Sequence, residues 1–365
     1  MQRWQQGMPP GKEEEQLRLS NPNLGPFNVR TDLAVEANQL AVKQLGSTLP
    51  GVDLQKEEDD GITITRVTIA DQQTGEQLGK QPGHYLTLEA PQLRGRDSQL
   101  HNRVAKRLSD EIRQFMRGMG IPPEGSVLVI GLGNRHVTPD SLGPLVVENL
   151  LVTRHLFQLM PDQVADGYRS IGAIAPGVLG ITGIETSEII YALVEKIRPS
   201  LVVAVDALAS QSLQRVNTTI QIADTGIHPG SGVGNRRKPV TRETLGVPVL
   251  ALGVPTVVDA ATIVNDAMEL LLSHLQASYQ EMKQEEERPT PSQWDQQMLG
   301  AVGQLERSEK QQLIREVLDP MGHNLMVTPK EVDAFMEGMA NLIANGLNTA
   351  FHEAVTMENA AAYTH

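Results

Sequence analysis

Ser126–Leu156, SVLVIGLGNRHVTPDSLGPLVVENLLVTRHL, holds an apolar run that ends abruptly in a polar loop and resumes with helical spacing. Val127–Ile130 is short, β-branched and continuously apolar, the pattern of a strand buried on both faces of a parallel sheet. Gly131 and Gly133 let the backbone turn sharply, and Pro144 suits the first turn of a helix whose Leu145, Val146, Leu150 and Leu151 share a face. The intervening loop carries one carboxylate, Asp140, near the carboxyl end of the strand, where open α/β sheets bind ligands. LVVAVDALAS, Leu201–Ser210, repeats the plan: an apolar run broken at its carboxyl end by a lone acid, Asp206. Two carboxylates at two parallel strand ends can meet in one crevice.

Working outward, SIGAIAPGVLGITGIETSEIIYALVEKIRPS (170–200) reads as a second strand–helix unit whose helix starts near Thr186 or Ser187. TTIQIAD (218–224) and VPVLALGVPT (247–256) read as further strands, followed by a helix from about Asp259 to Ala277. This alternation predicts an α/β fold with a mostly parallel, doubly wound sheet covered on both faces. On the amino side, TDLAVEANQLAVKQL (31–45) suits an amphipathic helix with Thr31 or Asp32 as its N-cap. ITITRVTIA (62–70) and HYLTLEA (84–90) read as a small antiparallel element, and Ser98–Met116 as a helix. The expected organisation is a pro-segment over 1–32, an α/β domain over 33–278 with an antiparallel insertion near 60–92, an exposed linker over 279–297, and a C-terminal helical segment over 298–365 packed on the core. The last segment should hold helices near 307–318 and 329–351, the second with Thr328 as N-cap and Pro329 at its first position.

With 365 residues, 40% of them hydrophobic, the chain can bury a large core. Its net charge of −13 argues against a general nucleic-acid or anionic-membrane binder, because holding phosphates requires clustered Lys and Arg. The lack of cysteine removes thiolate catalysis, disulfides and cysteine-based zinc sites together. Neither an apolar leader nor a run long enough to span a bilayer is seen, so a cytoplasmic location is expected.

Gly131-Leu132-Gly133 invites a dinucleotide-binding reading, but the third glycine of that fingerprint is replaced by His136. Asp224-Thr225-Gly226 matches the D-T-G of aspartic proteases, occurs once, and reads better as a turn after a strand. The glycine-rich loop 227–238 offers His228, Ser231, Arg236, Arg237 and Lys238 as substrate-binding candidates, against the reading of a solvated loop closed by a basic run. Taken separately, Asp140 and Asp206 are ordinary caps at strand–helix junctions. Taken as a pair in equivalent places, they form an acid/base dyad in which one activates water and the other protonates the leaving group. No cofactor and no metal is expected.

At these residues the chain resembles the germination protease family of spore-forming Firmicutes, endopeptidases also called spore proteases. The resemblance runs from about Val29 to His365 and is carried by VRTDLAVEA, GLGNRHVTPDSLGP, PGVLGITGIETSEII, VVAVDALAS, RVNTTIQIADTGIHPGSGVGNRRK, GVPVLALGVPTVVDA and GHNLMVTPKEVDAFM. It implies an atypical aspartic endopeptidase, related in fold to the hydrogenase-maturation proteases, with its acids on Asp140 and Asp206. In those relatives, acids at the corresponding strand ends help to bind a metal, which leaves a metal-dependent peptidase as the alternative; a non-catalytic anion- or peptide-binding module is a further one. The resemblance also implies small acid-soluble spore proteins as substrates, action in the spore core during germination, and a homotetrameric zymogen that removes its own amino-terminal segment. The family cuts between Thr-Glu and an apolar residue followed by Ala, which Thr31-Asp32-Leu33-Ala34 imitates. Self-cleavage is therefore expected between Asp32 and Leu33, triggered by mild acid, with Arg236, Arg237 or Lys238 holding the acidic side chain of a true substrate.

Overall fold

The computed structural model describes residues 31–95, 97–227, 238–264, 266–268, 270–271 and 325–359. By its internal contacts the chain divides into two compact units, Arg30–Ala260 with Asn324–His365, and Met1–Val29 with Ala261–His323. The second contributes only a stretch of helix among the described residues. The first carries everything that follows.

It opens with helix α1 (Ala34–Leu45), which closes on Gly46 in the left-handed conformation that ends many helices. Strands β1 (Val52–Asp59) and β2 (Ile62–Ile69) form a hairpin turned at Asp60-Gly61, where both residues have positive φ, the requirement of a tight two-residue turn. Helix α2 (Gln72–Leu78) is capped by the Asp71 carboxylate, which accepts the Thr74 N–H at 2.9 Å, and leads to β3 (Gly83–Glu89). Helix α3 (Ser98–Gly118) is capped by Asp97. Then come β4 (Val127–Gly131), α4 (Leu142–Glu148), α5 (Arg154–Leu159), β5 (Ile171–Ile174), α6 (Leu179–Thr182) and α7 (Thr186–Ile197). The chain continues through β6 (Leu201–Ser210), β7 (Thr219–Ala223), α8 (Arg242–Leu245), β8 (Val249–Asp259), β9 (Met326–Val327) and α9 (Val332–Phe351).

The nine strands among the described residues join one mixed sheet in the order β1-β2-β3-β7-β8-β6-β4-β5, with β9 paired to β8. Strands β8, β6, β4 and β5 run parallel, and the remaining pairs are antiparallel. One face packs Val203, Val205, Leu250 and Leu252 against Val104, Leu108 and Ile112 of α3, and against Leu342, Ile343 and Leu347 of α9. The other packs Leu128, Ile130, Val202 and Ala204 with Leu33, Val35, Ile190 and Val194 from the neighbourhood of α1 and α7. Each such side chain contributes about 1.5–3 kcal/mol by leaving water, so the doubly covered strands anchor the whole unit.

The α/β reading holds, and several expectations about its parts are corrected. The antiparallel element has three strands rather than two, and β3 pairs with β7, which makes it part of the main sheet. The first helix starts at Ala34 with Leu33 at its N-cap position, leaving Thr31 and Asp32 outside it. The helix after Asp140 ends at Glu148, short of Leu150 and Leu151. α9 starts at Val332, and Thr328 spends its hydroxyl on the Thr256 carbonyl at 2.9 Å instead of capping that helix. The 279–297 linker and the helix expected near 307–318 lie outside the described residues.

Candidate active site

The site is built where β4 stops and β6 does not. Gly131, the last residue of β4, pairs with Val205, and β6 continues alone on that side from Asp206 to Ser210. Asp206 is therefore not at a strand end, as its sequence context suggested; it is the first residue of β6 past the end of its neighbour. It is buried, and its carboxylate accepts the Ala207 N–H at 2.9 Å. Strand alternation sets its direction: Val202, Ala204 and Leu208 belong to the core beneath α1 and α7, and Val203 and Val205 to the opposite core. Asp206 thus faces the α1 side.

Two more strands extend the row. Gly253 of β8 pairs with Asp206 on one side and with Gln221 of β7 on the other. By the same alternation Gln221 shares a face with Ala223, opposite Ile220 and Ile222, and so faces the α1 side as well. Asp206 and Gln221 stand two strands apart, roughly 10 Å between backbones, with a residue lacking a side chain between them.

Asp140 is brought to the same end of the sheet by its loop. A tight helical turn, Thr138–Asp140, packs beside β6 and β8, and the Thr256 hydroxyl of β8 donates to the Pro139 carbonyl at 2.7 Å. The Asn134 N–H is shared between the Asp140 carboxylate at 2.8 Å and its carbonyl at 3.0 Å. Gly133 explains the glycine pair: its φ is +107°, and a Cβ there would lie 2.1 Å from the Asp140 carbonyl oxygen. Gly133 seats this acid, and Gly131 makes room for α4, since a Cβ there would lie 2.1 Å from the Gly143 carbonyl oxygen.

Across this face lies the segment 31–34. The Asp32 N–H donates to the Ala209 carbonyl at 2.9 Å, and the Ala209 N–H donates to the Asp32 carboxylate at 2.8 Å. Gln221 donates through Nε2 to the Asp32 carbonyl at 3.2 Å and accepts the Ala34 N–H through Oε1 at 2.7 Å. Lys80 donates to the Thr31 carbonyl at 3.1 Å. Removal of water from around that ammonium pushes its pKa below the usual lysine range, opposed by the charges of Asp32 and Glu36. Beneath the segment, buried Glu36 accepts from the Thr31 and Ser210 hydroxyls, the Gln211 and Ser212 N–H groups, and Arg215. Burial alone would lower the Arg215 pKa, but Glu89 and Glu36 outweigh it and hold the guanidinium firmly charged.

Of the other residues singled out from sequence, His228, Ser231, Arg236 and Arg237 lie outside the described residues, and Lys238 is exposed. Asp224-Thr225-Gly226 is a turn at the end of β7, where the Asp224 carboxylate accepts the His84 N–H at 2.8 Å. A cleft of about 410 Å³ lined by Arg66, Glu111, Phe115 and Asp224 includes neither Asp140 nor Asp206. Sequence reasoning missed Gln221, Lys80 and Glu36. The signal for Gln221 was present in TTIQIA, a long polar side chain alternating with isoleucines in a strand otherwise read as buried.

Comparison with known proteins gives the class first: the chain is a peptidase. Curated relatives called germination protease, from Bacillus cereus (strain AH187) and Bacillus cytotoxicus, are each 51% identical over 363 residues, covering 94% of this chain and 99% of the relative. The relative from Bacillus mycoides (strain KBAB4) is 50% identical over the same span. A family model described as germination protease matches residues 29–364, and the chain belongs to that family.

Proposed function

We propose that this chain is an endopeptidase of atypical aspartic type in which Asp140 and Asp206 act together on a peptide bond. One carboxylate takes a proton from water as the oxygen attacks the carbonyl carbon, and the other acid protonates the departing nitrogen. The carbon–nitrogen bond breaks to leave a new carboxylate and a new amine. No metal step is invoked in this reading. The substrates in this reading are the small acid-soluble spore proteins of the spore core, and the protein is a homotetramer made as a zymogen that cuts itself between Asp32 and Leu33.

The observation that supports this reading is the docking of Asp32 on the backbone of Ala209 of β6, three residues beyond Asp206, with Leu33 packed in the core on the face toward which Asp206 points. The chain presents one of its own acidic–apolar peptide bonds to the strand that bears the acid. Leu33 is completely buried, so another copy cannot reach this bond without local opening, and the cut is expected to be intramolecular. Protein held at mildly acidic pH and followed by amino-terminal sequencing should acquire a terminus at Leu33 at a rate independent of protein concentration. An Asp206→Asn control that acquires the same terminus would show a contaminating protease. Loss of activity in chelator, restored by a divalent ion, would replace the aspartic reading with a metal-dependent one. Incubation with a small acid-soluble spore protein and mass spectrometry of the fragments tests the substrate assignment.

A further inference from the structure

Gln221 is a polar side chain, 8% exposed, in a strand whose neighbours Ile220 and Ile222 are fully buried. Burying an amide is unfavourable unless both its ends are satisfied, and here both ends are spent on the docked segment. Its N–H donates to the carbonyl of Asp32, and its oxygen accepts the N–H of Ala34. These partners impose opposite demands, one needing a donor and the other an acceptor, which fixes the orientation of the amide. The clamp spans the Asp32–Leu33 peptide bond. Gln221 stands in the same cross-strand row as Asp206, with Gly253 between them.

We infer that Gln221 is a catalytic residue of the cleavage site, holding the carbonyl of the bond to be cut, with Ala209 and Lys80 forming the subsite for the acidic residue before it. The inference rests on the self-cleavage reading above. When water adds to the Asp32 carbonyl carbon, its oxygen acquires negative charge; a donor already placed on that oxygen strengthens its bond in the transition state and needs no reorganisation. The same amide, by holding the N–H two residues further on, keeps the peptide aligned while the carbon–nitrogen bond breaks. Asp206 lies across Gly253 from this amide, with the Leu208 side chain seated over that glycine, so the acid and the carbonyl donor flank Leu208 on one face of the sheet.

The acid subsite has a structural cause. β4 ends at Gly131, opposite Val205, so the backbone groups of β6 beyond that point that face β4 have no strand partner on that side. Both backbone groups of Ala209 then go to Asp32: its carbonyl to the N–H and its N–H to the carboxylate. A carboxylate accepting a backbone N–H is a charge-assisted bond, stronger than a neutral one. Lys80 adds positive charge beside it and holds the preceding carbonyl. A peptide with an acidic residue followed by an apolar one and a small one fits this frame whether it belongs to this chain or to a substrate.

The test uses the full-length chain and two readouts, self-cleavage at mildly acidic pH and hydrolysis of a synthetic peptide copying residues 26–40 by protein already processed. Gln221→Met keeps the shape and removes the donor; its scission rate should fall by about 10²–10³-fold, in kcat more than in KM, with an unchanged thermal midpoint. Gln221→Glu should be as impaired near neutrality and recover as pH falls, because a protonated carboxyl again offers a donor. Lys80→Met should raise KM for the Asp peptide more than for an Asn version of it, which loses only the bond to the preceding carbonyl. A Gln221→Met protein that cuts at the parental rate overturns the inference, as does a Gln221→Glu pH profile parallel to the parent's. If instead the parent forms no Leu33 terminus, or Asp206→Asn forms it equally well, the self-cleavage reading fails and takes this inference with it.

Discussion

The sheet has two halves that solve burial differently. In the parallel half, β6 and β8 are buried along almost their entire lengths, sandwiched between helices on both faces. In the antiparallel half, β1 is exposed from Asp53 onward, and β2 switches cores along its length, giving Ile62 and Ile64 to one and Val67 and Ile69 to the other. The outer half instead carries an ion-pair cluster in which Arg66 and Arg107 hold Glu57 and buried Glu111, and Arg107 also reaches Asp59. A charged or amide side chain buried in a strand covered on both faces is costly unless it is partnered. Asp206 and Gln221 sit in such surroundings, and that contrast makes them site candidates.

The largest expected effect is chemical and belongs to the parallel half. Asp206→Asn should leave the thermal midpoint within a few degrees of the parent while peptide hydrolysis falls by about 10³-fold or more, as for loss of a general acid or base; activity above a tenth of the parent's would remove Asp206 from the dyad. Next comes packing. Gly143 of α4 faces the end of β4 so closely that a Cβ would lie 2.3 Å from the Leu132 carbonyl oxygen and 2.6 Å from that of Val205. These neighbours are backbone and cannot yield, so Gly143→Ala should cost about 3 kcal/mol or more by urea denaturation.

Acid should loosen the parallel half through His352. This side chain is buried at the end of α9, accepts the Arg169 N–H at 3.1 Å through Nδ1, and lies 5.4 Å from the Tyr168 ring. Burial pushes its pKa down to about 4 from 6.5, with the Leu151 carbonyl opposing and Arg169 adding to the fall. The folded pKa lies below the unfolded one, so the stabilisation is complete above pH 6.5 and is lost as pH falls toward 4. The difference approaches about 3 kcal/mol at the acid end. The urea midpoint should fall less from neutral to acid pH in His352→Gln than in the parent; an equal fall would show that His352 does not titrate in this window.

In the outer half the same kinds of change should be mild. Gly61 has φ +82° with nothing near its absent Cβ, so Gly61→Ala should cost only the backbone strain, about 1–2 kcal/mol. Glu57→Gln breaks half-exposed pairs at 3.1 and 3.2 Å and should cost about 0.5 kcal/mol, less in high salt. Should these two exceed the loss in Gly143→Ala, the contrast between the halves would be wrong.

How much of this was legible beforehand follows the same division. The runs Val127–Ile130, Leu201–Val205 and Val249–Leu252 announce buried strands because nothing else keeps so many β-branched residues from water. β1 escapes the pattern because VDLQKEED carries only Val52 and Leu54 on one face before the charged run Lys56–Asp59; the local signal is Asp60-Gly61, whose positive φ values turn the hairpin. Asp206 was placed at a strand end because a charge usually interrupts a strand, whereas β6 runs through it and exploits the gap left by β4.

The sequence by itself determined the α/β class and the strand–loop–helix unit around Asp140, and it singled out Asp140 and Asp206 as candidates, since periodicity and lone acids in apolar runs are properties of neighbours along the chain. Only the tertiary structure decided that Asp206, Gly253 and Gln221 share a row, because strand order and register depend on partners far apart in sequence. It alone placed Asp32 on Ala209, a contact spanning 177 positions. That contact exists because β4 ends early, leaving backbone donors and acceptors on β6 that a buried structure must satisfy with something, and the chain's own amino-terminal segment is what satisfies them.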